Sequence, residues 1–267
     1  MAADMTGSTP TGVDKSTLPF AAPCRTLEPA APLRLVRLGW QDLRRAPRQS
    51  LAYGVVIMLL SMLVAGVGMR VGSYWAVLIL LSGFVFVAPV LALGLYSISR
   101  QLERGVAPSC SRCFGELRLC VGTAMVFALA LLIVFLLWAR AGSVVHVFFP
   151  DNATAHWREV VLFFAIGSAV GSVFAALTFV FSAFSLPMIA DRDADAITAI
   201  VTSVNAVLRN KPAMVVWVLM IVGLTAIGFA TALIGLAVTM PVLGHATFHA
   251  YRETIDASAW PEIGVRA

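Results

Sequence analysis

The amino-acid sequence predicts an all-α, polytopic membrane bundle: six transmembrane helices, with amphipathic helices lying at the cytoplasmic interface. Three observations carry the prediction. Hydrophobic residues make up 60% of the 267 residues and charged residues 12%, with a mean hydropathy of +0.89. Soluble domains run at about 25% charged. The stretch from Pro212 to Tyr251 holds no Asp, Glu, Lys or Arg. As one helix it would reach ~60 Å at ~1.5 Å per residue, twice the ~30 Å of a bilayer core. It must therefore fold back, and Gly228-Phe-Ala-Thr231 is the expected turn. The third observation is the layout of cations. With six spans, sixteen of the nineteen Lys and Arg residues fall on one side, the exceptions being Arg70, Arg140 and Arg158. The cytoplasmic side carries such an excess, so both termini are expected there. The net charge of +5 is explained by this layout and calls for no nucleic acid.

Residues 1–33 are rich in Pro, Ala, Ser and Thr and contain no apolar run of signal length. They are expected to be a disordered tail. The membrane domain is expected over 34–256, and 257–267 as a second tail. Residues 34–46, RLVRLGWQDLRRA, form an amphipathic helix. Leu35, Val36, Leu38, Trp40, Leu43 and Ala46 share one arc. Arg34, Arg37, Arg44, Arg45 and Arg48 share the other, and only Asp42 intrudes on the apolar side. Basic amphipathic helices with an interfacial Trp lie in membrane surfaces, their arginines facing anionic headgroups. The alternative is a helix packed on another subunit.

Pro47 ends that helix. The six spans are expected at about 51–69, 74–97, 119–138, 160–186, 212–229 and 232–251, with a polar loop after the second. Pro89 falls in the second span, where neighbouring helices can satisfy the freed carbonyl. Trp138, Pro150 and Trp157 flank an opposite-side loop as an interfacial belt would. Gly167, Gly171 and Ala175 recur at four-residue spacing, which would let another helix approach closely. Residues 191–210 form a second amphipathic helix, with Ile197, Ile200, Val201, Val204 and Leu208 at helical spacing. Asp193 or Asp195 is placed to cap it.

An internal repeat is also expected. Leu43-Arg44-Arg-Ala-Pro47 matches Leu208-Arg209-Asn-Lys-Pro212, and Pro89-Val-Leu91 with Arg100 matches Pro241-Val-Leu243 with Arg252. A parallel helix–span–span unit would thus open and close the chain, with a degenerate copy between them ending at Leu186-Pro187.

Gly39-Trp-Gln-Asp42 before Arg45-Ala-Pro47, followed far downstream by Pro241-Val-Leu-Gly-His-Ala-Thr-Phe-His-Ala-Tyr-Arg252, resembles an uncharacterised proteobacterial integral-membrane family. It is a domain of unknown function whose members are sometimes labelled cytochrome c oxidase subunit I. The resemblance runs over residues 34–256 and implies a six-span inner-membrane protein. Phe248 stands where the family usually has Trp. The helix–span–span unit is also similar to the membrane domain attached to some glycerophosphodiester phosphodiesterases, an analogy of fold alone.

His245 and His249 are the sharpest candidate for chemistry. Four apart, they share a helix face. Such a pair could hold a metal or haem, lie on a proton or substrate path, or be hydrogen-bonded structure. His-Ala-Thr-Phe-His lacks the glutamate of a zinc-protease motif. A catalytic oxidase subunit needs six histidines for its haems and copper. This chain has four, including His146 and His156 in the loop opposite the cytoplasm. Cys110-Ser-Arg-Cys113 could be incidental thiols, a redox pair, or half of a metal site shared between subunits. No nucleophile–base pair and no phosphate-binding loop is legible, so no enzyme and no resident cofactor are expected. The first expectation for function is a partner- or lipid-binding membrane protein, associated with the bilayer and with a larger membrane complex. A small-solute transporter and a metal- or haem-handling protein using His245 and His249 are the alternatives.

Overall fold

The computed structural model describes residues 18–71, 74–148 and 157–263, and within them nine helices. They are α1 (Ala31–Arg45), α2 (Pro47–Val71), α3 (Tyr74–Glu103), α4 (Cys110–Phe148), α5 (Trp157–Ser182), α6 (Ser185–Asp191), α7 (Ala196–Arg209), α8 (Lys211–Ala230) and α9 (Leu236–Thr254). No strand is formed among the described residues beyond two isolated β-bridges. Pro150 and His156, named above, lie outside the described residues, as does the side chain of His146.

Prolines set several boundaries. Pro47 opens α2 and Pro212 sits in the first turn of α8, where the missing N–H costs no helical hydrogen bond. Pro89 and Pro241 lie inside α3 and α9. Asp195 caps α7: its side chain accepts from the backbone N–H groups of Ile197 and Thr198, both at 2.9 Å.

Four described helices are long and apolar enough to cross a membrane by length and composition. They are Pro47–Arg70, Cys110–Val144, Val161–Asp191 and Lys211–Ala230. The most apolar stretch of the third is wholly unburied within the chain. Its surface, with Val161, Leu162, Phe164 and Val173 exposed, is apolar all round, as a lipid-facing helix is. α9 differs. Its second half carries His245, His249, Arg252 and Glu253, and eleven of its residues are buried.

α9 is the hub of the packing. α1, α2, α3 and α8 all lie against it. Gly39 and Gly54 allow the closest approaches. A Cβ at Gly39 would overlap the Val242 carbonyl and come within 2.8 Å of the Ala246 nitrogen. A Cβ at Gly54 would overlap the Ala237 carbonyl and come within 2.8 Å of Pro241. The largest buried side chains, Trp217, Tyr251, Phe127, Phe184 and Phe248, belong to one core cluster with Leu35, Leu243 and Ala246.

Several expectations need correction. Among the described residues Gly167 and Gly171 mediate no close helix approach: a Cβ on Gly167 would meet nothing within 4 Å, and one on Gly171 only the Trp138 indole at 3.8 Å. The hairpin turn follows Ala230, with Ala232 and Leu233 at positive φ, and Gly228 remains helical, packed under Leu236. The expected polar loop after the second span is mostly helix, because α3 continues to Glu103 and α4 begins at Cys110.

The described parts of both expected tails are ordered. Cys24 pairs with Ile255, the Arg25 N–H donates to the Thr254 carbonyl at 2.7 Å, and the Asp256 N–H to the Pro23 carbonyl at 2.9 Å. Thr202 and Asn210 accept from the Ala22 and Leu27 N–H groups at 3.0 and 2.7 Å. Past α9, Trp260 and Ile263 are buried, and the Asp193 N–H donates to the Pro261 carbonyl at 2.9 Å. The N-terminal segment, with Pro19, Pro23 and Pro29 and no helix of its own before α1, is held because remote helices satisfy its backbone.

Candidate functional site: a buried polar layer at the helix ends

The ends of α1, α3, α6 and α9 and the starts of α2 and α4 bring most of the buried polar side chains into one layer. Its centre is Asp42, only 3% exposed. One carboxylate oxygen of Asp42 accepts from the Ser99 hydroxyl at 2.9 Å and from His249 Nε2 at 2.8 Å. His245 is fully buried between two hydroxyls, with Nδ1 2.8 Å from Ser99 Oγ and Nε2 2.9 Å from Ser50 Oγ.

The network assigns the protons. A carboxylate only accepts, so the single Ser99 proton goes to Asp42. Ser99 Oγ must then receive the proton of His245 Nδ1–H, and Nε2 accepts from Ser50. Both ring nitrogens of His245 are thereby engaged. The clasp Ser50–His245–Ser99–Asp42–His249 joins α1, α2, α3 and α9.

The layer continues outward. His249 Nδ1 lies 3.6 Å from Glu103, and Arg252 Nε 3.3 Å from the other Glu103 oxygen. Asp191, 2% exposed, accepts from the Tyr251 hydroxyl at 3.0 Å, from Arg192 Nε at 3.0 Å and from Arg252 at 3.3 Å. Arg192 and Arg104 both pair with Glu262. Deeper in, Arg100 is 3% exposed, donates to the Ala190 carbonyl at 2.9 Å and pairs with Glu116, which also accepts from Ser97. Gln101 links Ser97, Cys113 Sγ and the Ser109 N–H. Arg100, expected in a loop, is therefore a buried helical residue. Buried charges persist only when paired and hydrogen-bonded, and nearly every charge in this layer is.

The candidate residues are thus distributed unevenly. His245 and His249 lie in the layer, and Cys113 touches its edge. Cys110 is exposed while Cys113 is 1% exposed, and neither is in a disulfide. Cys113 accepts from Gln101 Nε2 at 3.3 Å and is sealed from solvent, which disfavours the reactive thiolate. Among the described residues no cluster of three or more His, Cys, Asp or Glu could hold a metal ion.

α1 packs Leu35, Gly39 and Leu43 onto its own chain. Arg34 pairs with Glu253. Arg37, Arg44, Arg45 and Arg48 remain exposed, with no ion pair among the described residues, beside Trp40 at 46% exposure.

Sequence reasoning missed Ser50, Ser99, Glu103 and Asp191 as members of a site. Asp42 had a signal, as the one acid on an apolar arc. The fold also assembles a nucleophile–base pair that spacing does not reveal, Ser50 with His245. Both are fully buried, and a sealed hydroxyl offers no approach for a substrate.

These features define an all-helical integral membrane protein. Residues 77–191, from α3 to the end of α6, match the family model described as predicted integral membrane protein (DUF2189), a membrane domain of unknown function. The segments that carry the family resemblance, 39–47 and 241–252, lie outside the matched stretch. No curated protein and no solved structure matches the chain.

Proposed function

We propose that this chain is a non-enzymatic six-span protein of the bacterial inner membrane, with both termini cytoplasmic, that works by binding at its cytoplasmic face. Its ligand there is a protein of a larger membrane complex or anionic lipid. The observation carrying this reading is the contrast between two polar surfaces. The buried layer is closed on itself by hydrogen bonds and ion pairs. The α1 face formed by Arg37, Trp40, Arg44, Arg45 and Arg48 is exposed and lacks a counter-charge among the described residues. Each such cation near an anionic surface contributes about 1 kcal/mol.

Support for six spans comes from α3 and α9. Each follows an apolar helix after a short connection and packs back against it. Support for a parallel repeat comes from element order, since α1–α2–α3 and α7–α8–α9 each run short amphipathic helix, proline-opened apolar helix, proline-containing helix. A transporter has less support, because the ionisable groups gather at one end of the helices rather than at mid-membrane. A metal or haem at His245 and His249 has less again, because hydrogen bonds already engage both His245 nitrogens.

The test is gentle purification of wild type and of a variant with Arg37, Arg44, Arg45 and Arg48 all changed to Gln. A stoichiometric protein, or enriched phosphatidylglycerol, should accompany the wild type and be lost from the variant. Identical preparations would sink the reading.

A further inference from the structure

The end of α5, the last turn of α7 and the first half of α8 leave an outward-facing groove of about 440 Å³ with an almost wholly apolar lining. Val207 and Met214 are buried in it, Phe179 closes one side, and Val215 and Leu219 stand 61% and 60% exposed along it. From Lys211 to Leu219 it runs ~12 Å at ~1.5 Å per residue. One leaflet of hydrocarbon is ~15 Å deep, half of a ~30 Å core.

The one charged lining residue is Lys211, at the end where α8 begins. Lys211 is exposed and makes no ion pair among the described residues. The N-cap side chain, Asn210, does not cap α8. It is spent on the segment before α1, accepting from the Leu27 N–H at 2.7 Å and donating to the Arg25 carbonyl at 3.1 Å. No side chain caps the first turn of α8 and Pro212 lies in it, so exposed Lys211 is the group there that offers an anion a positive charge. Exposed Arg209 adds a second cation nearby.

We propose that this groove is a binding site for one anionic glycerophospholipid of the cytoplasmic leaflet. An acyl chain lies along Val215 and Leu219, and the phosphate sits at Lys211, where α8 begins. The charge at the mouth selects a lipid over a hydrophobic peptide, and the length fits one leaflet. The inference rests on α8 spanning the membrane and is independent of the exposed face of α1.

The test is native mass spectrometry of the full chain in micelles doped with phosphatidylglycerol or, separately, phosphatidylcholine. One phosphatidylglycerol per chain should survive activation that strips other lipids, and phosphatidylcholine should be held more weakly. Lys211→Gln should cut phosphatidylglycerol retention by about fivefold, the loss of about 1 kcal/mol. Val215→Trp, which fills the groove, should abolish retention of both lipids. If Val215→Trp fails to fold by circular dichroism, the surface change Lys211→Gln decides alone. Equal retention by wild type and Lys211→Gln would mean annular lipid only and overturn the site. So would equal retention of the two lipids by wild type, or efficient disulfide cross-linking of Val215→Cys between two copies.

Discussion

Replacing Asp42 with Ala should destabilise the bundle far more than the removal of one acid from an interfacial helix. Asp42 is 3% exposed and is the shared acceptor for Ser99 and His249. Its loss leaves one hydroxyl and one imidazole N–H without their partner. An unsatisfied buried polar group costs about 1–3 kcal/mol, so the two together give about 2–6 kcal/mol. Asp42→Asn can keep its amide oxygen at the one position that accepts both bonds and loses only the charge, so it should cost about 1 kcal/mol, the difference between a charged and a neutral acceptor. The assay is reversible unfolding in mixed micelles, followed by tryptophan fluorescence, for which Trp217 and Trp260 are buried reporters. The mechanism also fixes a coupling. In a background already carrying Ser99→Ala and His249→Ala, Asp42→Ala has no donors to strand and should cost much less. A cost below about 0.5 kcal/mol in the wild-type background, or full additivity with the other two changes, would refute the clasp.

Other perturbations follow from the same geometry. Gly54→Leu drives a side chain into the Ala237 backbone and should cost at least the ~1–3 kcal/mol of core overpacking, seen as a lowered unfolding midpoint, whereas Gly167→Leu should leave the midpoint unchanged. Asp195→Ala removes the α7 cap and should cost about 1 kcal/mol. Burial pushes the Asp195 carboxyl up, but bonds from the Thr198 hydroxyl and the Thr198 and Ile197 N–H groups outweigh it and hold its pKa below the ordinary value. Its stabilisation is therefore full above about pH 4, the unfolded value, and fades as pH falls through the folded one; a midpoint difference between wild type and Asp195→Ala that did not shrink as pH fell below about 4 would contradict this. Cys110 should react with a maleimide in the folded protein, and Cys113 only on unfolding; equal rates would contradict its burial beside Gln101.

What could be read in advance follows physical lines. Helix existence was legible because apolar content over twenty residues is a local property. Pro47, Pro212 and Asp195 were legible because they act on their own helix termini. The polar layer was not, because Asp42 and His249 are 207 positions apart and meet only through the packing of α1 on α9. The histidine pair drew attention as a pair. In the fold each imidazole answers to different partners, and the shared element is the acid. Close helix contact was sought in the Gly167 and Gly171 spacing, but backbone approach uses single glycines, Gly39 and Gly54, facing a helix that no spacing rule identifies. The order in residues 18–30 was hidden for the same reason: Thr202 and Asn210, far along the chain, accept from its Ala22 and Leu27 N–H groups.

On the function proposed above, the polar ends of these helices form one cytoplasmic layer beneath a bilayer crossed an even number of times. Impermeant-maleimide labelling of intact spheroplasts tests it most directly, with Cys24, Cys113 and Cys120 changed to Ala and a single reporter left at Cys110 or at Arg158→Cys. Arg158→Cys should label in intact spheroplasts and Cys110 only after the membrane is opened. Labelling of both reporters from the same side would contradict the account.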